Sequence, residues 1–338
     1  MVGQRFVSLL QEHPWFKVEV VAASNRSEGK TYEEAVSERW YMNSSIPAEI
    51  ANRKVLNVRD IKKISPMVDF VFCAVNMSED DLRNLEYEYA KHECPVVSNN
   101  SAHRWTDDVP VIMPEINADH LGIIRLQRMR LGTKKGFIVA KPNCSLQCFL
   151  PLIAPLPEVD FVYVSTYQAI SGAGKTFSSF HEIIDNIIPY IKGEEFKTEN
   201  EPLKILGSIE NGKILNASSP KIVSNCIRVP ISDGHTSSVF VRFKNKITSE
   251  GIIDIWKNFN PLSLPSSPKK FINYFEQSDR PQVKLNRNIE NGMGISVGHL
   301  SNFSENEVKF VSVSHNTIRG AAGGAILCAE LLHSRGYL

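Results

Sequence analysis

One cysteine, Cys144, stands where a short apolar run gives way to a helix. The run over 137–140 has β character and ends at Pro142, and Asn143 is a good N-cap for a helix that begins at Cys144. A thiol in the first turn faces unpaired N–H groups and the positive end of the helix dipole, which favour the nucleophilic thiolate. The same N–H groups could hold an oxyanion when the sulfur attacks a carbonyl. The pattern predicts a nucleophile, while a buried structural cysteine stays open as the alternative.

Composition and charge narrow the class of protein. A chain of 338 residues, 42% hydrophobic and 22% charged, is long enough for two globular domains. Its formal net charge of +1 argues against a nucleic-acid binder. No apolar run approaches the ~20 residues of a membrane span, and residues 1–6 do not read as a signal peptide. The six cysteines lack any zinc-like spacing. We therefore predict a cytoplasmic protein without a metal site.

The first half alternates apolar runs with helical segments. Strands are predicted at 18–23, 55–58, 69–75 and 95–99, and helices at 5–13 and 79–91. This order is typical of a doubly wound parallel α/β sheet of the Rossmann type, in which ligands bind beyond the carboxyl ends of the strands. The first of those ends reads Ser24-Asn25-Arg26-Ser27 and lacks an acidic residue. Arginine and serine there favour the 2′-phosphate of NADP over the free ribose of NAD.

After Cys144 the pattern becomes that of a mixed α+β domain. Strands are predicted at 161–168, 236–243, 294–300 and 308–313, with a polar helix over 177–191 followed by a charged stretch to about 204. A final helix over 317–334 carries small residues that permit close backbone approach. We predict a nucleotide-binding domain of residues 1–141 and 316–338, and a catalytic and dimerisation domain of residues 142–315.

Several motifs, in order along the chain, closely resemble the signatures of the aspartate-semialdehyde dehydrogenase family, in its fungal and archaeal branch. They are Ala22-Ala23-Ser24-Asn25-Arg26-Ser27, Pro142-Asn143-Cys144-Ser145, Gln168-Ala169-Ile170-Ser171-Gly172-Ala173-Gly174, Arg228-Val229-Pro230-Ile231-Ser232-Asp233-Gly234-His235 and Asn316-Thr317-Ile318-Arg319-Gly320. The resemblance implies NADPH-dependent reduction of β-aspartyl phosphate to aspartate β-semialdehyde, with release of phosphate, through a cysteine thioester. This reaction belongs to lysine, threonine and methionine biosynthesis. The resemblance also implies a homodimer or homotetramer.

The resemblance assigns roles residue by residue. Cys144 matches the nucleophile, His235 the general acid/base and Gln168 the residue that orients the acyl-enzyme. The implied substrate contacts are Arg228 to the α-carboxylate, Glu201 to the amino group, and Lys204, Arg104 and Asn143 to phosphate. The implied cofactor contacts are Gly3, Ser24, Arg26, Ser27, Ser171, Gly172 and Asn316. Read locally, His235 would be a surface turn residue, and Glu201 with Lys204 a charged segment.

The chain departs from the family at its first residues. Family members begin with a strand and a Gly-x-x-Gly-x-x-Gly loop, of which only the last glycine, Gly3, is matched here. We therefore expect two strands without a shared neighbour and a weakened pyrophosphate cradle. A malonyl-CoA reductase and an inactive subunit that acts by association remain as alternative functions. An N-acetyl-glutamyl-phosphate reductase fits the spacing of Arg228 and His235 less well.

Overall fold

A computed structural model describes residues 1–42, 44–259 and 262–338. The strands within these residues are β1 (Ala22–Ala23), β2 (Leu56–Asn57), β3 (Val71–Cys73), β4 (Val96–Ser98), β5 (Ile138–Ala140), β6 (Val159–Gln168), β7 (Ser208–Glu210), β8 (Lys213–Leu215), β9 (Lys221–Arg228), β10 (His235–Phe243), β11 (Ile272–Phe275), β12 (Ile295–Ser304) and β13 (Glu307–Ser314). The helices are α1 (Val2–Leu9), α2 (Tyr32–Val36), α3 (Ala48–Ala51), α4 (Ile61–Ile64), α5 (Glu79–Lys91), α6 (Pro114–Asn117), α7 (Ile124–Leu131), α8 (Leu150–Ile153), α9 (Glu194–Ile205), α10 (Ser249–Asn258), α11 (Val283–Asn286) and α12 (Gly323–Ser334).

The first five strands are all parallel, as the alternating sequence pattern predicts. β3, β4 and β5 form one sheet, and β1 pairs only with β2 in another. Within the described residues no strand joins these two sheets. In the three-stranded sheet β4 and β5 are fully buried and β3 is partly buried, as is typical of parallel sheets that helices cover on both faces. α1 and α12 contact each other, and Phe6 and Ala325 both belong to the apolar cluster that these helices share.

A mixed sheet of six strands dominates the second half, in the order β11-β12-β13-β10-β6-β9. β10 lies antiparallel to both β6 and β13, and β9 lies parallel to β6. Buried residues alternate along β10, which places His235, its first residue, on the inner face. The parallel pairing aligns Gln168 with Arg228, so both strands end at one edge of the sheet. The prediction of an α+β second half is confirmed.

The prediction of a helix over 177–191 is wrong. The segment forms two short 3-10 turns, Phe177–Ser179 and His181–Ile183, and the helix begins later, at Glu194. Asp185 has a φ of 54°, which ends helical geometry there. The backbone of Ile188 then exchanges two hydrogen bonds with Arg228 at the end of β9. Tertiary pairing has therefore captured a segment that the sequence pattern assigned to a helix.

The C-terminal helix begins with a π-helical turn, Ile318–Ala322, and continues as α12. A Cβ added to Gly320 would lie 2.8 Å from the Cβ of Cys144, and one added to Gly324 would lie 3.1 Å from Cε of Lys141. The small residues thus allow the close approach predicted for them, against the segment that carries Cys144. None of the helices in the described residues combines the length and apolar character that a membrane crossing requires.

Candidate active site

Cys144 and His235 meet at the centre of the candidate site. The Sγ of Cys144 lies 3.3 Å from Nε2 of His235. Cys144 is half-buried, and His235 is fully buried. A cysteine within hydrogen-bond reach of a histidine is the pair of residue types found at cysteine nucleophiles. The structure therefore brings together the two residues that the sequence placed in the chemistry.

The turn that carries the cysteine differs from the predicted α-helix. It is a 3-10 turn, Cys144–Cys148, with Asn143 as its N-cap. The N–H of Ser145 donates to Oδ1 of Asn143 (2.9 Å), and the N–H of Asn143 donates to Oε2 of Glu201 (2.8 Å). These two N–H groups are already bonded within the protein. These two N–H groups are therefore not free to hold an oxyanion, contrary to the expectation from the sequence.

The resting ionisation of Cys144 also differs from the expectation of a thiolate. Burial raises the pKa of the thiol to about 11, and the Glu194 carboxylate acts in the same direction. The charged forms of Lys141, Arg104 and Arg228 lower that pKa, but the burial effect is larger, and burial also lowers the pKa of Lys141 to about 7. The raised pKa favours the thiol over the thiolate in the substrate-free protein. The surrounding cations remain placed to stabilise a thiolate.

His235 is held in one tautomer by a backbone contact. The N–H of Ala169 donates to Nδ1 (3.0 Å), so the neutral ring carries its proton on Nε2, facing Cys144. Burial, and to a smaller extent the neighbouring Arg228 and His315, together lower the pKa of His235 to about 3. A neutral imidazole with Nε2–H toward the reacting atoms is a hydrogen-bond donor. Acceptance of a proton by this ring, the base role inferred from the resemblance, requires the bond from Ala169 to break first.

Arg228 and Gly172 flank the imidazole. Nη1 of Arg228 donates to the carbonyl oxygen of Ala169 (2.6 Å), and the guanidinium is buried. A Cβ added to Gly172 would lie 2.9 Å from Nη1 of Arg228 and 3.2 Å from Cε1 of His235. Gly172 therefore leaves room for the arginine beside the imidazole. A buried guanidinium in this position suits a carboxylate ligand.

A second cluster links the predicted phosphate and amino-group residues. Nη1 of Arg104 donates to Oε1 of Glu201 (2.7 Å), and both side chains are buried. Nζ of Lys204 donates to the carbonyl oxygens of Arg104 (2.8 Å) and Thr106 (2.7 Å), and burial lowers its pKa to about 8. Among the described residues, Nε of Arg104 and Nδ2 of Asn99 are buried donors without a protein partner. These two donors provide the chemistry of an anion site.

Gln168 meets a residue that the sequence reading did not single out. Its Nε2 lies 3.2 Å from Oγ1 of Thr166 and 3.4 Å from Oε2 of Glu194, the first residue of α9. Glu194 also contacts the amide of Asn143. Glu194 fell within the predicted helix-and-charge region, where no local signal separates it from Glu195. Asn99 follows β4 at the carboxyl end of the parallel sheet, where ligands of such sheets are expected, but the sequence assigned it no specific role.

The residues predicted to face the nicotinamide lie together behind His235. Nδ2 of Asn316 donates to Oγ of Ser171 (2.9 Å), and Oδ1 of Asn316 accepts from the N–H of Gly234 (2.7 Å). One amide therefore ties the glycine-rich loop to the turn that precedes His235. Arg5 of α1 lies 4.0 Å from Asp233 in the same turn, which connects the nucleotide-binding half to the catalytic half.

The remaining predicted cofactor residues form a separate group. Gly3 lies in the first turn of α1, with open space around a Cβ added to it. Arg5 lies in α1, and the carbonyl oxygen of Arg39 accepts a hydrogen bond from Nε2 of Gln4 at the same end of this helix (2.7 Å). Ser24 and Arg26 are exposed after β1, whereas Ser27 is buried. Positive charge at the start of α1 and an exposed arginine beyond β1 fit the phosphates of NADP.

Comparisons with known proteins indicate the same family that the sequence motifs resemble. The model of the semialdehyde dehydrogenase NAD-binding domain matches residues 1–124, and that of the semialdehyde dehydrogenase dimerisation domain matches residues 149–319. Aspartate-semialdehyde dehydrogenase of Archaeoglobus fulgidus is 42% identical over 334 residues, covering 98% of this chain and 95% of the relative. That of Aspergillus fumigatus is 38% identical over 354 residues, covering 100% and 95%. The crystal structure of the Candida albicans enzyme with NADP is 33% identical, with a TM-score of 0.88 and coverage of 100% and 96%. The chain belongs to the semialdehyde dehydrogenase family, and these aspartate-semialdehyde dehydrogenases are its relatives.

Proposed function

We propose that the protein reduces β-aspartyl phosphate to aspartate β-semialdehyde with NADPH and releases inorganic phosphate. The observation that carries this proposal is the 3.3 Å contact between Cys144 and His235, with Arg228 and Arg104 beside the thiol. In this reaction the Cys144 sulfur attacks the acyl carbon, the bond between that carbon and the phosphate oxygen breaks, and a thioester forms, while the thiol proton ends on the inorganic phosphate that leaves. NADPH, when bound, supplies the hydride that reduces the acyl group.

Each charged side chain is proposed to bind a different group of the substrate. Arg228 is proposed to hold the α-carboxylate, since a guanidinium fork fits a planar carboxylate. Glu201 is proposed for the amino group, and Arg104 with Lys204 for the phosphate. In the substrate-free structure Arg104 and Glu201 neutralise each other. A substrate that carries both an ammonium and a phosphate would separate this ion pair, because the ammonium would bind Glu201 and the phosphate would bind Arg104.

The amides and the imidazole complete the site. Gln168 is proposed to orient the acyl-enzyme, and Asn143 to cap the turn that carries the nucleophile while it supplies an amide near the phosphate. His235 presents Nε2–H to the reacting atoms. As a donor it stabilises negative charge on sulfur or on the substrate oxygen, which is the role of a neutral histidine in a buried site.

The cofactor is proposed to lie between the two halves of the chain. Gly3 would face the pyrophosphate, Arg26 with Ser24 and Ser27 the 2′-phosphate, and Ser171, Gly172 and Asn316 the nicotinamide end. The absence of a carboxylate immediately after β1 supports NADP over NAD. The Candida albicans relative, whose structure contains NADP, supports the same choice.

The deciding experiment is an assay of NADPH formation from aspartate semialdehyde, NADP and phosphate. We expect phosphate-dependent turnover by the purified chain and its loss in Cys144→Ala. Cys94→Ala is the matched control, because Cys94 is buried beside Pro95, before β4, and contacts none of the proposed catalytic residues. Turnover that survives in Cys144→Ala would contradict the covalent mechanism.

A parallel assay with malonyl-CoA separates the nearest alternative. Glu201 has no ammonium to bind in malonyl-CoA, so we expect turnover of that compound to be far slower. Faster reaction with malonyl-CoA than with the aspartyl substrate would reverse the assignment. Absence of any turnover, with self-association retained, would favour the inactive-subunit alternative.

We also propose the domain organisation and assembly. The nucleotide-binding domain comprises residues 1–141 and 316–338, supported by the packing of α12 against α1, and the catalytic domain comprises residues 142–315. The matched dimerisation domain supports a homodimer or homotetramer formed through the second domain. On the outer face of the six-stranded sheet, Tyr163 and Phe303 are 39% and 48% exposed, which suits such a surface. Sedimentation equilibrium would give the subunit number.

The six free thiols suit a reducing compartment, the cytoplasm.

A further inference from the structure

A buried guanidinium, that of Arg319, contacts the turn that carries the nucleophile. Arg319 is 1% exposed and lies in the π-helical turn Ile318–Ala322. Its Nε donates to Oε1 of Gln147 (2.9 Å), and Gln147 is also buried. Gln147 belongs to the 3-10 turn Cys144–Cys148 (the cysteine turn). The hydrogen bond therefore joins the cysteine turn to a segment 172 positions later in the chain.

Contacts with Glu115 and Phe271 hold this guanidinium in place. Nη1 and Nη2 of Arg319 donate to the two carboxylate oxygens of Glu115 in α6, at 2.5 and 2.6 Å. Cζ of Arg319 lies 4.7 Å from the centre of the Phe271 ring, within the range of a cation–π contact. A bidentate pair of guanidinium and carboxylate has a fixed geometry. The direction of Nε toward Gln147 is therefore set by groups other than Gln147.

The geometry of the 3-10 turn places Gln147 on the same face as Cys144. Such a helix has three residues per turn, so the side chains at positions i and i+3 lie one above the other. Gln147 is three positions after Cys144. Arg319 therefore anchors the cysteine turn on the face that carries the nucleophile.

The residue after Arg319 packs against the nucleophile itself. A Cβ added to Gly320 would lie 2.8 Å from Cβ and 3.3 Å from Cα of Cys144. The segment that carries Arg319 thus lies directly against the cysteine, with no side chain between them. A shift of the cysteine turn relative to Arg319 would change the 3.3 Å contact between Sγ of Cys144 and Nε2 of His235.

We propose that Gln147 is a positioning residue of the reaction, which holds Cys144 opposite His235 through its hydrogen bond to Arg319. This inference rests on the proposed function for its effect on turnover. The contact between Cys144 and His235 can be followed without turnover. Gln147 has no assigned contact with substrate or cofactor, so it acts through the position of the cysteine turn.

The test is Gln147→Met, which keeps the length of the side chain but removes the acceptor oxygen. We expect kcat to fall about tenfold with the KM for aspartate semialdehyde changed less than threefold, because a displaced sulfur affects the reacting geometry more than binding. Gln147→Glu keeps an acceptor oxygen at the same reach, so its kcat should stay within about threefold of that of the unsubstituted chain.

Thr133→Val is the matched control. It also removes one side-chain hydrogen bond, from Oγ1 of Thr133 to the carbonyl oxygen of Gly136 (2.8 Å), and keeps the shape of the side chain. Thr133 lies between α7 and β5 and contacts none of the proposed site residues. We expect its kcat to be that of the unsubstituted chain.

Proton NMR of His235 gives a readout that needs no substrate. Nε2–H of the neutral ring faces Sγ of Cys144, so its resonance depends on the contact between them. Labelling with [15N]histidine would show this resonance, and its absence from His235→Ala would assign it. We expect the resonance to move in Gln147→Met and to keep its position in Thr133→Val.

A resonance that keeps its position in Gln147→Met would overturn the proposal. So would an unchanged kcat in that variant, or an equal loss of kcat in Gln147→Glu. Gln147→Asn covers the case in which Gln147→Met does not fold, because its oxygen is one methylene short of Arg319 and the same changes are expected. If the unsubstituted chain shows no dehydrogenase activity, the proposed function fails, while the resonance still decides the role of Gln147.

Discussion

Sγ of Cys144 and Nε2 of His235 lie 3.3 Å apart although 91 positions separate the two residues along the chain. One residue opens a 3-10 turn after the parallel sheet, and the other opens β10 of the mixed sheet. Nδ1 of the same imidazole accepts from Ala169, just beyond the end of β6. The antiparallel pairing of β6 with β10 therefore sets both the position and the tautomer of His235.

The tautomer of His235 predicts that two substitutions of this residue lower kcat by different amounts. His235→Ala should lower kcat by about 10²–10³-fold, the usual effect of removing one donor from a buried site. His235→Gln retains an NH2 donor and should recover at least about tenfold of that loss if donation is the role. Steady-state kinetics with aspartate semialdehyde measures both. Equal loss in the two variants would indicate obligatory proton transfer instead.

Gly172 should tolerate no side chain. In Gly172→Ala the new Cβ would lie 2.9 Å from Nη1 of Arg228 and 3.2 Å from Cε1 of His235. Displacement of these groups should lower kcat/KM at least about tenfold. Gly122→Ala is the control, because its nearest contact is an ordinary 3.9 Å to Ile209. Near-normal kcat/KM in Gly172→Ala would mean that the close packing has no role in the reaction.

Arg26 should decide the choice between the two nicotinamide cofactors. It is exposed after β1 and is proposed to bind the 2′-phosphate. Arg26→Ala should raise the KM for NADPH about tenfold, the usual effect of one lost charge-assisted hydrogen bond, and leave activity with NADH unchanged. The control is Arg59→Ala, since Arg59 is an exposed arginine that pairs with Asp81. An equal rise for both cofactors would place Arg26 elsewhere on the cofactor.

The ion pair between Arg319 and Glu115 should be important for stability. Nη1 and Nη2 of Arg319 lie 2.5 and 2.6 Å from the two oxygens of Glu115, and both side chains are at most 2% exposed. Glu115→Ala would leave a buried guanidinium without its partner and should lower the free energy of unfolding by about 3–5 kcal/mol. Urea unfolding gives this value. In Glu305→Ala, which breaks an exposed pair with Lys246, stability should change little. Equal effects of the two substitutions would contradict the burial argument.

Stability should decrease in mild acid because of buried histidines. Burial lowers the folded-state pKa of His235 to about 3 and that of His315 to about 4. The unfolded chain therefore binds more protons below about pH 6.5, so the contribution is complete above that pH and is lost as the pH falls toward the folded values. From pH 6.5 to 5 each histidine should lower the free energy of unfolding by about 2 kcal/mol. Urea unfolding at pH 7 and pH 5 measures the sum, and His315→Asn should reduce the dependence. Equal stability at the two pH values would contradict this account.

The residue pattern alone was sufficient to predict those helices and strands whose local signals agree with one another. Ser78 followed by three acidic residues predicted α5 with its observed bounds, and apolar runs predicted the parallel strands β3 and β4. Spaced motifs identified Cys144, Gln168 and His235 through the resemblance to a family. Strands with mixed patterns were missed, including β9 and β11, because a half-exposed strand in a mixed sheet lacks a continuous apolar run.

The sequence by itself determined the class of chain and its family, and it predicted the nucleophile and the residues proposed to bind a phosphorylated amino-acid substrate, because these predictions depend on residue type and order. Only the tertiary structure decided the tautomer of His235, the resting thiol state of Cys144 and the contact of Glu194 with two amides. Each of these depends on burial and on partners far along the chain. The same reason explains the failed helix over 177–191, where pairing of Ile188 with Arg228 overrides local preference.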